Sequence, residues 1–226
     1  MSPNIELKRG VLIAMEGIDG AGKTTQTKKL QEILIREGFD VVCFKEPTSG
    51  KWGMKIRDIA LNGRSNVTAE QELNYFILDR EEDVRENIEP ALKSNKIVIM
   101  DRYYYSNIAY QGALGIDPKE IQRINENRCF PKPDVVIILD VAPNIGISRI
   151  KRFRKEKLNN FEQEKYLSRV RELFQGMEHE ENVQIIDGSR LLHEVKDQIS
   201  NIAHDVIQPL ISEKEPSIIN ELKLVI

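Results

Sequence analysis

The sequence predicts an α/β fold: an open parallel five-stranded sheet flanked by helices on both faces. Two observations lead to this prediction. Five short apolar runs alternate along the chain with segments of helical periodicity, and such alternation implies parallel strands joined by right-handed crossovers. The chain has 226 residues and is 40% hydrophobic, which is enough for one substantial core. We therefore expect a single domain over residues 1–226.

The five predicted strands share a composition rich in valine and isoleucine. In chain order they are GVLIAM, DVVCF, KIVIMD, DVVIILDV and VQIID. Runs of this length, bounded by glycine or charged residues, are typical of strands that are buried on both faces.

Helices are predicted between these strands. One follows the first strand from about Thr24 to Glu37 and ends at Gly38. A longer one spans Thr68 to Ser94 and opens with a Thr68-x-x-Gln71 capping box, although Pro90 is expected to kink or shorten its far end. Two amphipathic helices flank the charged stretch RIKRFRKEKLNNFE, and a C-terminal extension covers about 209–226.

The composition of the chain indicates which binding partners and which cellular compartment to expect. The net charge of −3 argues against a general basic surface for nucleic acid. Cys43 and Cys129 stand beside apolar residues, and we interpret them as reduced, partly buried thiols. No apolar run approaches transmembrane length, so a cytoplasmic protein with no membrane partner is expected.

A phosphate-binding loop follows the first strand. The stretch EGIDGAGKTT contains the Walker A pattern Gly17-x-x-x-x-Gly22-Lys23-Thr24. In such a loop backbone N–H groups and a helix N-terminus hold phosphate, the lysine reaches the β- and γ-phosphates, and the hydroxyl binds Mg²⁺. The predicted ATP-binding residues in this loop are Gly17, Ile18, Asp19, Gly20, Ala21, Gly22, Lys23, Thr24 and Thr25.

A carboxylate at a second strand end completes the predicted metal site. Asp101 closes the strand KIVIMD, where a Walker B aspartate would hold the metal or its water shell. Asp140, at the end of the next strand, is the second candidate for that role.

Motifs that the sequence lacks limit which class of molecule can accept the phosphoryl group. The chain contains no Asn-Lys-x-Asp guanine signature and neither the HRD nor the DFG motif of protein kinases. Its three histidines all lie in the C-terminal quarter. A nucleoside monophosphate acceptor needs no strong general base, because its phosphate oxygen is already an anion.

Three motifs then resemble one family. The stretches EGIDGAGKTTQ, FILDREEDVRENIEPAL and DRYYYSNIAYQG resemble those of the thymidylate kinases, P-loop nucleoside monophosphate kinases, and the similarity runs from about Gly10 to Gln208. The resemblance implies transfer of the ATP γ-phosphate to dTMP, giving dTDP and ADP in dTTP biosynthesis. It also implies Mg²⁺ as cofactor and a homodimer formed through the helices around the long one.

The resemblance assigns roles at the acceptor site. It implies that Phe76 stacks on thymine and that Arg80 reaches a base carbonyl. Asn107 would bond the polar edge of the base, Tyr110 would crowd the sugar 2′ position, and Arg102 would hold the acceptor phosphate. Asp19 would face the sugar 3′-hydroxyl or the metal. The full predicted set is Asp19, Glu46, Phe76, Arg80, Arg102, Asn107, Tyr110 and Gln111.

A mobile lid is predicted over about 149–161, in the cationic stretch SRIKRFRKEK. In the resembled family the catalytic arginine comes from the glycine loop or from the lid. This glycine loop has none, so Arg152 or Arg154 is expected to act with Lys23 and Arg102, while Arg149 stacks on adenine.

The stretch KEPTSGKWG departs from the usual family pattern, which leaves Lys45, Lys51 and Arg57 as candidates for further phosphate contacts. Two other functions stay open. A deoxynucleoside kinase would use Glu46 as the base for a neutral 5′-hydroxyl, and a regulatory nucleotide-binding protein would need no catalysis.

Overall fold

The computed structural model describes the backbone of residues 5–154 and 160–212 and the side chains of residues 5–152 and 164–212. Its centre is a five-stranded sheet of order β2-β3-β1-β4-β5 in which every pair of neighbours is parallel. The strands are β1 (Val11–Glu16), β2 (Val41–Lys45), β3 (Ile97–Asp101), β4 (Val135–Asp140) and β5 (Val183–Asp187). The predicted fold class is confirmed.

The strand register places the carboxyl ends of β1, β2 and β3 side by side. In the sheet Asp101 pairs with Met15 of β1 on one side and with Lys45 of β2 on the other. Since all strands run the same way, β1, β2 and β3 end at one edge, where an open α/β sheet binds its ligands.

Nine α-helices lie in the described part of the chain. They are α1 (Lys23–Glu37), α2 (Lys51–Asn62), α3 (Ala69–Asp83), α4 (Glu89–Lys93), α5 (Tyr104–Ala113), α6 (Pro118–Asn127), α7 (Pro143–Arg154), α8 (Asn160–Gln175) and α9 (Leu192–Ile207). Helix α1 packs against α9, while α5 packs against α6 and α8.

The long helix predicted from Thr68 to Ser94 is present with one irregularity. Thr68 and Gln71 form the predicted capping box at its start. Between α3 and α4 the residues Val84–Ile88 form a π-helical turn. Pro90 explains this turn, because its ring would crowd the carbonyl four residues earlier and the missing N–H leaves one α-helical bond unmade.

Among the described residues, the core is built from the strands and from apolar side chains of every helix except α2. All residues of β1 and β3 are buried, as expected for central parallel strands covered on both faces. The two ends of the described chain also meet, since Leu7 and Ile211 form an antiparallel bridge. Residues 213–226, most of the predicted extension, lie outside the described residues.

The cysteines differ in burial. Cys43 is half-buried in β2, as predicted, but Cys129 is exposed, so its predicted burial is wrong. It follows the end of α6 with φ of 54°, and this left-handed turn carries it away from the core. Among the described residues, no helix has both the length and the apolar character needed to span a membrane.

Candidate active site

The glycine loop connects β1 to α1. Gly17, Gly20 and Gly22 have φ of 130°, 80° and 104°, values that glycine adopts without strain. Gly22 is the N-cap of α1 and no side chain caps that end, so the first N–H groups of the helix remain for a ligand. The loop therefore has the local structure that its sequence predicts.

Lys23 lies inside this loop. Its Nζ donates to the carbonyls of Gly17 and Ile18, both at 2.8 Å, and only 6% of the residue is exposed. Burial lowers the pKa of Lys23 to about 7, and the nearby charge of Arg102 acts in the same direction. The lysine is thus poised beside the position that phosphate oxygens take in such loops.

Thr24 and Asp101 meet across the strand ends. The Thr24 hydroxyl donates to Asp101 Oδ2 at 2.5 Å, and Lys45 Nζ donates to the same oxygen at 2.9 Å. Burial raises the pKa of Asp101, but its bonds to Thr24 and Lys45 outweigh that effect and lower the pKa overall. Of the three basic candidates Lys45, Lys51 and Arg57, Lys45 is the one that contacts Asp101.

The Thr24–Asp101 pair fits a magnesium ion. Both groups present oxygen, the donor type that Mg²⁺ prefers. The other carboxylate oxygen, Asp101 Oδ1, is buried without a hydrogen-bond partner among the described residues, and an unsatisfied buried oxygen of this kind indicates a missing ligand or water. Asp140, the second candidate, instead accepts two bonds from Arg171 at 2.6 and 2.8 Å.

Arg102 follows β3 in a left-handed conformation with φ of 77°, rare for a residue with a side chain. Its guanidinium donates to Asp19 at 2.6 Å, to Ser106 at 3.0 Å and to Tyr110 at 3.3 Å. It also lies over the Tyr110 ring, 5.0 Å from the centroid. The predicted acceptor residues Asp19, Arg102 and Tyr110 are thus in contact.

A cavity of about 590 Å³ opens over this centre. Its lining includes the glycine loop from Asp19 to Gln26 together with Lys45, Asp101, Arg102, Arg149, Arg152 and Arg190. Many of the residues predicted for ATP, metal and catalysis therefore line one space.

A second group of polar side chains surrounds Arg80, which is fully buried. Nε donates to Glu46 at 3.0 Å and Nη2 donates to the other oxygen of the same carboxylate. Nη1 donates to Asn107 at 2.8 Å and to Asn125 at 2.9 Å. Asn107 also donates to Gln111 at 3.1 Å, so four of the residues predicted at the acceptor site form one network.

Asn125 was not predicted from the sequence. It is buried on α6, four residues after buried Ile121, whose carbonyl accepts its Nδ2 at 2.8 Å. An amide on the apolar side of a helix was the available signal, since a buried polar group requires partners.

Glu46 is 2% exposed, and both of its oxygens face Arg80. Burial raises the pKa of Glu46 to about 7, and the Arg80 guanidinium opposes that rise. Phe76, one turn before Arg80 on α3, is half-buried and does not belong to the described core.

Helix α7 carries the start of the predicted lid and touches the glycine loop. A Cβ on Gly20 would lie 2.2 Å from the Gly146 carbonyl, and one on Gly146 would lie 2.4 Å from the Asp19 carbonyl. This close approach lets Arg149 donate to the Gly20 and Ala21 carbonyls at 3.4 and 3.3 Å. The side chains of lid residues 153–161, Arg154 included, and the backbone of residues 155–159 lie outside the described residues.

The sequence model of the thymidylate kinase family matches residues 15–199. The chain belongs to the thymidylate kinase family.

Individual members of this family are similar over most of their length. A probable thymidylate kinase of Archaeoglobus fulgidus is 45% identical over 192 residues, which cover 85% of this chain and 94% of the relative. A thymidylate kinase of Xanthomonas oryzae is 47% identical over 175 residues, covering 77% and 75%. One of Desulfotalea psychrophila is 44% identical over 168 residues, covering 74% and 82%.

The other two basic candidates, Lys51 and Arg57, have local partners. Lys51 Nζ lies 4.5 Å from the centroid of the Trp52 ring, and Arg57 donates to the carbonyls of Pro47 and Thr48. Arg57 therefore supports the loop after β2, and a role of either residue in binding phosphate stays a prediction.

Glu16, the residue before the glycine loop, also received no predicted role. It is fully buried, and it accepts bonds from the Tyr103 N–H, the Ser106 N–H and the Ser106 hydroxyl at 2.7, 3.2 and 2.6 Å. A glutamate at the end of an apolar strand was the signal that a partner had to exist.

Proposed function

We propose that this member of the thymidylate kinase family transfers the γ-phosphoryl group of ATP to dTMP, giving dTDP and ADP. The observation that carries the proposal is the shared cavity, into which a phosphate-binding loop, the Thr24–Asp101 pair and Arg102 all open. Cation and metal sites of this kind suit transfer between two anionic phosphates, where positioning and charge neutralisation supply most of the catalysis.

The donor half uses the glycine loop. Backbone N–H groups and the α1 N-terminus bind the phosphates, and Lys23 exchanges the carbonyls of its own loop for phosphate oxygens. Thr24 and Asp101 would hold Mg²⁺, which supplies charge neutralisation between the phosphates when bound. Arg149 and Arg152 approach from α7, with Arg152 or Arg154 as the lid cation that stabilises the transferring group.

The acceptor half uses Arg102 for the phosphate and Arg80 for the base. A guanidinium has five N–H donors, and four of those of Arg80 bond to Glu46, Asn107 and Asn125. The fifth, on Nη2, has no acceptor among the described residues, so a base that reaches this buried group would bond to it through a carbonyl rather than an amino group. Phe76 stacks on that base, Tyr110 crowds the sugar and Gln111 orients Asn107.

The environment of Glu46 argues against a nucleoside kinase. Such an enzyme needs a base to accept the proton of a neutral 5′-hydroxyl, and both oxygens of Glu46 are already bonded to Arg80. A monophosphate acceptor needs no base, which agrees with this arrangement.

A homodimer and a cytoplasmic location are the remaining parts of the proposal. Helix α2 packs on α3 and exposes Met54 and Leu61, which are 64% and 81% accessible. Apolar side chains exposed together on one helix suit an interface, and light scattering at two concentrations tests the dimer.

The function is tested by measuring ADP release with ATP and Mg²⁺ while dTMP, dUMP, dCMP, dGMP, UMP and thymidine are offered in parallel. We expect strong turnover of dTMP, weak turnover of dCMP and little of thymidine. Lys23→Met is the control and should abolish turnover without loss of folding. Preferred turnover of thymidine would make the protein a nucleoside kinase, and ATP binding without turnover of any acceptor would indicate a regulatory protein.

A further inference from the structure

Glu16 stands at the junction between the donor loop and the acceptor helix. It is the last residue of β1 and directly precedes Gly17, the first glycine of the loop. Its carboxylate is fully buried, and burial raises its pKa although Ser106 and Arg102 oppose that rise. A buried carboxylate is retained only where specific donors compensate for its lost hydration.

The carboxylate caps helix α5 in place of a local side chain. The N-cap residue Tyr103 offers no side-chain acceptor to the helix, so the first N–H groups need another partner. Glu16 Oε1 accepts from the N–H of Tyr103 and from that of Ser106, the third helical residue. A carboxylate at this end also interacts favourably with the helix dipole.

The second oxygen of Glu16 reaches Arg102 through one hydroxyl. Ser106 Oγ donates to Glu16 Oε2 at 2.6 Å and accepts from Arg102 Nη1 at 3.0 Å. Because the hydroxyl has a single proton, donation to Glu16 turns its lone pairs toward the guanidinium. The opposite group, Nη2, is held by Asp19 and Tyr110, so Arg102 is fixed from both sides.

We propose that Glu16 and Ser106 are positioning residues that hold Arg102 in its left-handed conformation, aimed at the acceptor phosphate. This inference rests on the proposed function for the identity of that phosphate, but not for the placement of Arg102. Neither residue touches the substrate. Glu16 orients the hydroxyl, the hydroxyl locates the guanidinium, and both tie the acceptor cation to the strand that carries the donor loop.

Ser106→Ala tests the inference because it removes the hydroxyl and keeps both backbone bonds to Glu16. We expect the KM for dTMP to rise, or kcat to fall, by about tenfold, in the range of one lost hydrogen bond to a charged group. The KM for ATP should stay within about twofold, and Ser106→Thr, which keeps a hydroxyl, should recover most of the loss. Ser94→Ala, which removes a hydroxyl bonded to a carbonyl beyond the other end of β3, is the matched control.

Glu16→Gln is the second variant, since its amide would donate to Ser106 instead of accepting from it. We expect the same change in the dTMP parameters together with a lower melting temperature, because the cap of α5 is weakened as well. Equal losses for ATP and dTMP that follow the melting temperature would overturn the inference, and so would unchanged kinetics in Ser106→Ala.

Crystal structures of wild type and Ser106→Ala separate this inference from the proposed function. We expect the Arg102 guanidinium to leave its position beside Tyr110 in the variant. An unmoved guanidinium overturns the positioning role whatever the substrate is. If the wild type does not phosphorylate dTMP, the proposed function is wrong. The positioning role is still tested in that case, because the crystal structures show where Arg102 lies whatever the substrate is.

Discussion

At the scale of single residues, the Arg80–Glu46 pair shows how this protein keeps charge in its interior. The two side chains are 1% and 3% exposed, and two amide oxygens bond the remaining guanidinium face. Such a pair adds little net stability, but removing either partner destabilises the protein because the other charge is left buried and unpaired. The proposed function gives this pair a further role, because its bonds hold the Arg80 guanidinium in one orientation.

Glu46→Ala is therefore predicted to reduce the free energy of unfolding by about 3–5 kcal/mol, because it leaves a buried cation without its counter-charge. Urea unfolding at pH 8 measures the change. Glu89→Ala, which breaks the exposed pair with Lys93, is the control and should change stability by less than about 1 kcal/mol. Similar effects of the two substitutions would show that other groups stabilise the buried charge of Arg80 when Glu46 is removed.

At the scale of elements, the contact between α7 and the glycine loop joins the start of the predicted lid to that loop. Gly20 and Gly146 lie against each other because neither carries a side chain. A helix that starts so close to the loop has a defined direction, and it carries Arg149 and Arg152 to the cavity wall.

Gly146→Ala is predicted to raise the KM for ATP several-fold while the KM for dTMP changes less. Its methyl group would lie 2.4 Å from the Asp19 carbonyl. The helix or the loop would have to move apart, and shifts of this kind typically cost about 1–3 kcal/mol of stability. Gly176→Ala is the control, because a Cβ there meets nothing within 4 Å. Steady-state kinetics for both substrates, with melting temperatures, measure the effect, and an unchanged KM for ATP would contradict it.

At the scale of the whole molecule, an ion pair joins helix α1 near the N-terminus to helix α9 near the C-terminus. His204 of α9 contacts Glu37 of α1 through Nε2 at 2.8 Å, and its Nδ1 lies 2.6 Å from the Ser200 carbonyl. Both neighbours accept hydrogen bonds, so the arrangement favours the protonated imidazolium. Partial burial lowers the pKa of His204, but these two contacts outweigh it and raise the pKa above its ordinary value of 6.5.

Stability should therefore depend on pH through His204. A raised pKa means that the folded protein binds more protons than the unfolded chain, so this contribution falls as pH rises. It is fully present below about pH 6.5, the unfolded value, and is lost as pH rises through the folded pKa. The difference in unfolding free energy between wild type and His204→Asn should shrink over that window. A difference that is constant with pH would contradict the assignment.

Local sequence signals determined the strands, the glycine loop and the capping box. Apolar runs, glycine spacing and capping residues act over a few positions, so their effects can be read from the chain. The same signals led to Lys23, Thr24 and Asp101, since a strand end and a helix start define where these side chains stand.

Only the tertiary structure decided the partners of buried polar groups. Glu16 meets Ser106 across 90 positions and Arg80 meets Asn125 across 45, and no local pattern encodes such pairings. They are set by which helices the sheet order brings together, and a buried charge then selects its partner because an unpaired one would be too costly. The two strand-end aspartates also differ only in their tertiary partners: Asp140 pairs with Arg171 of α8, whereas Asp101 accepts from Thr24 and Lys45.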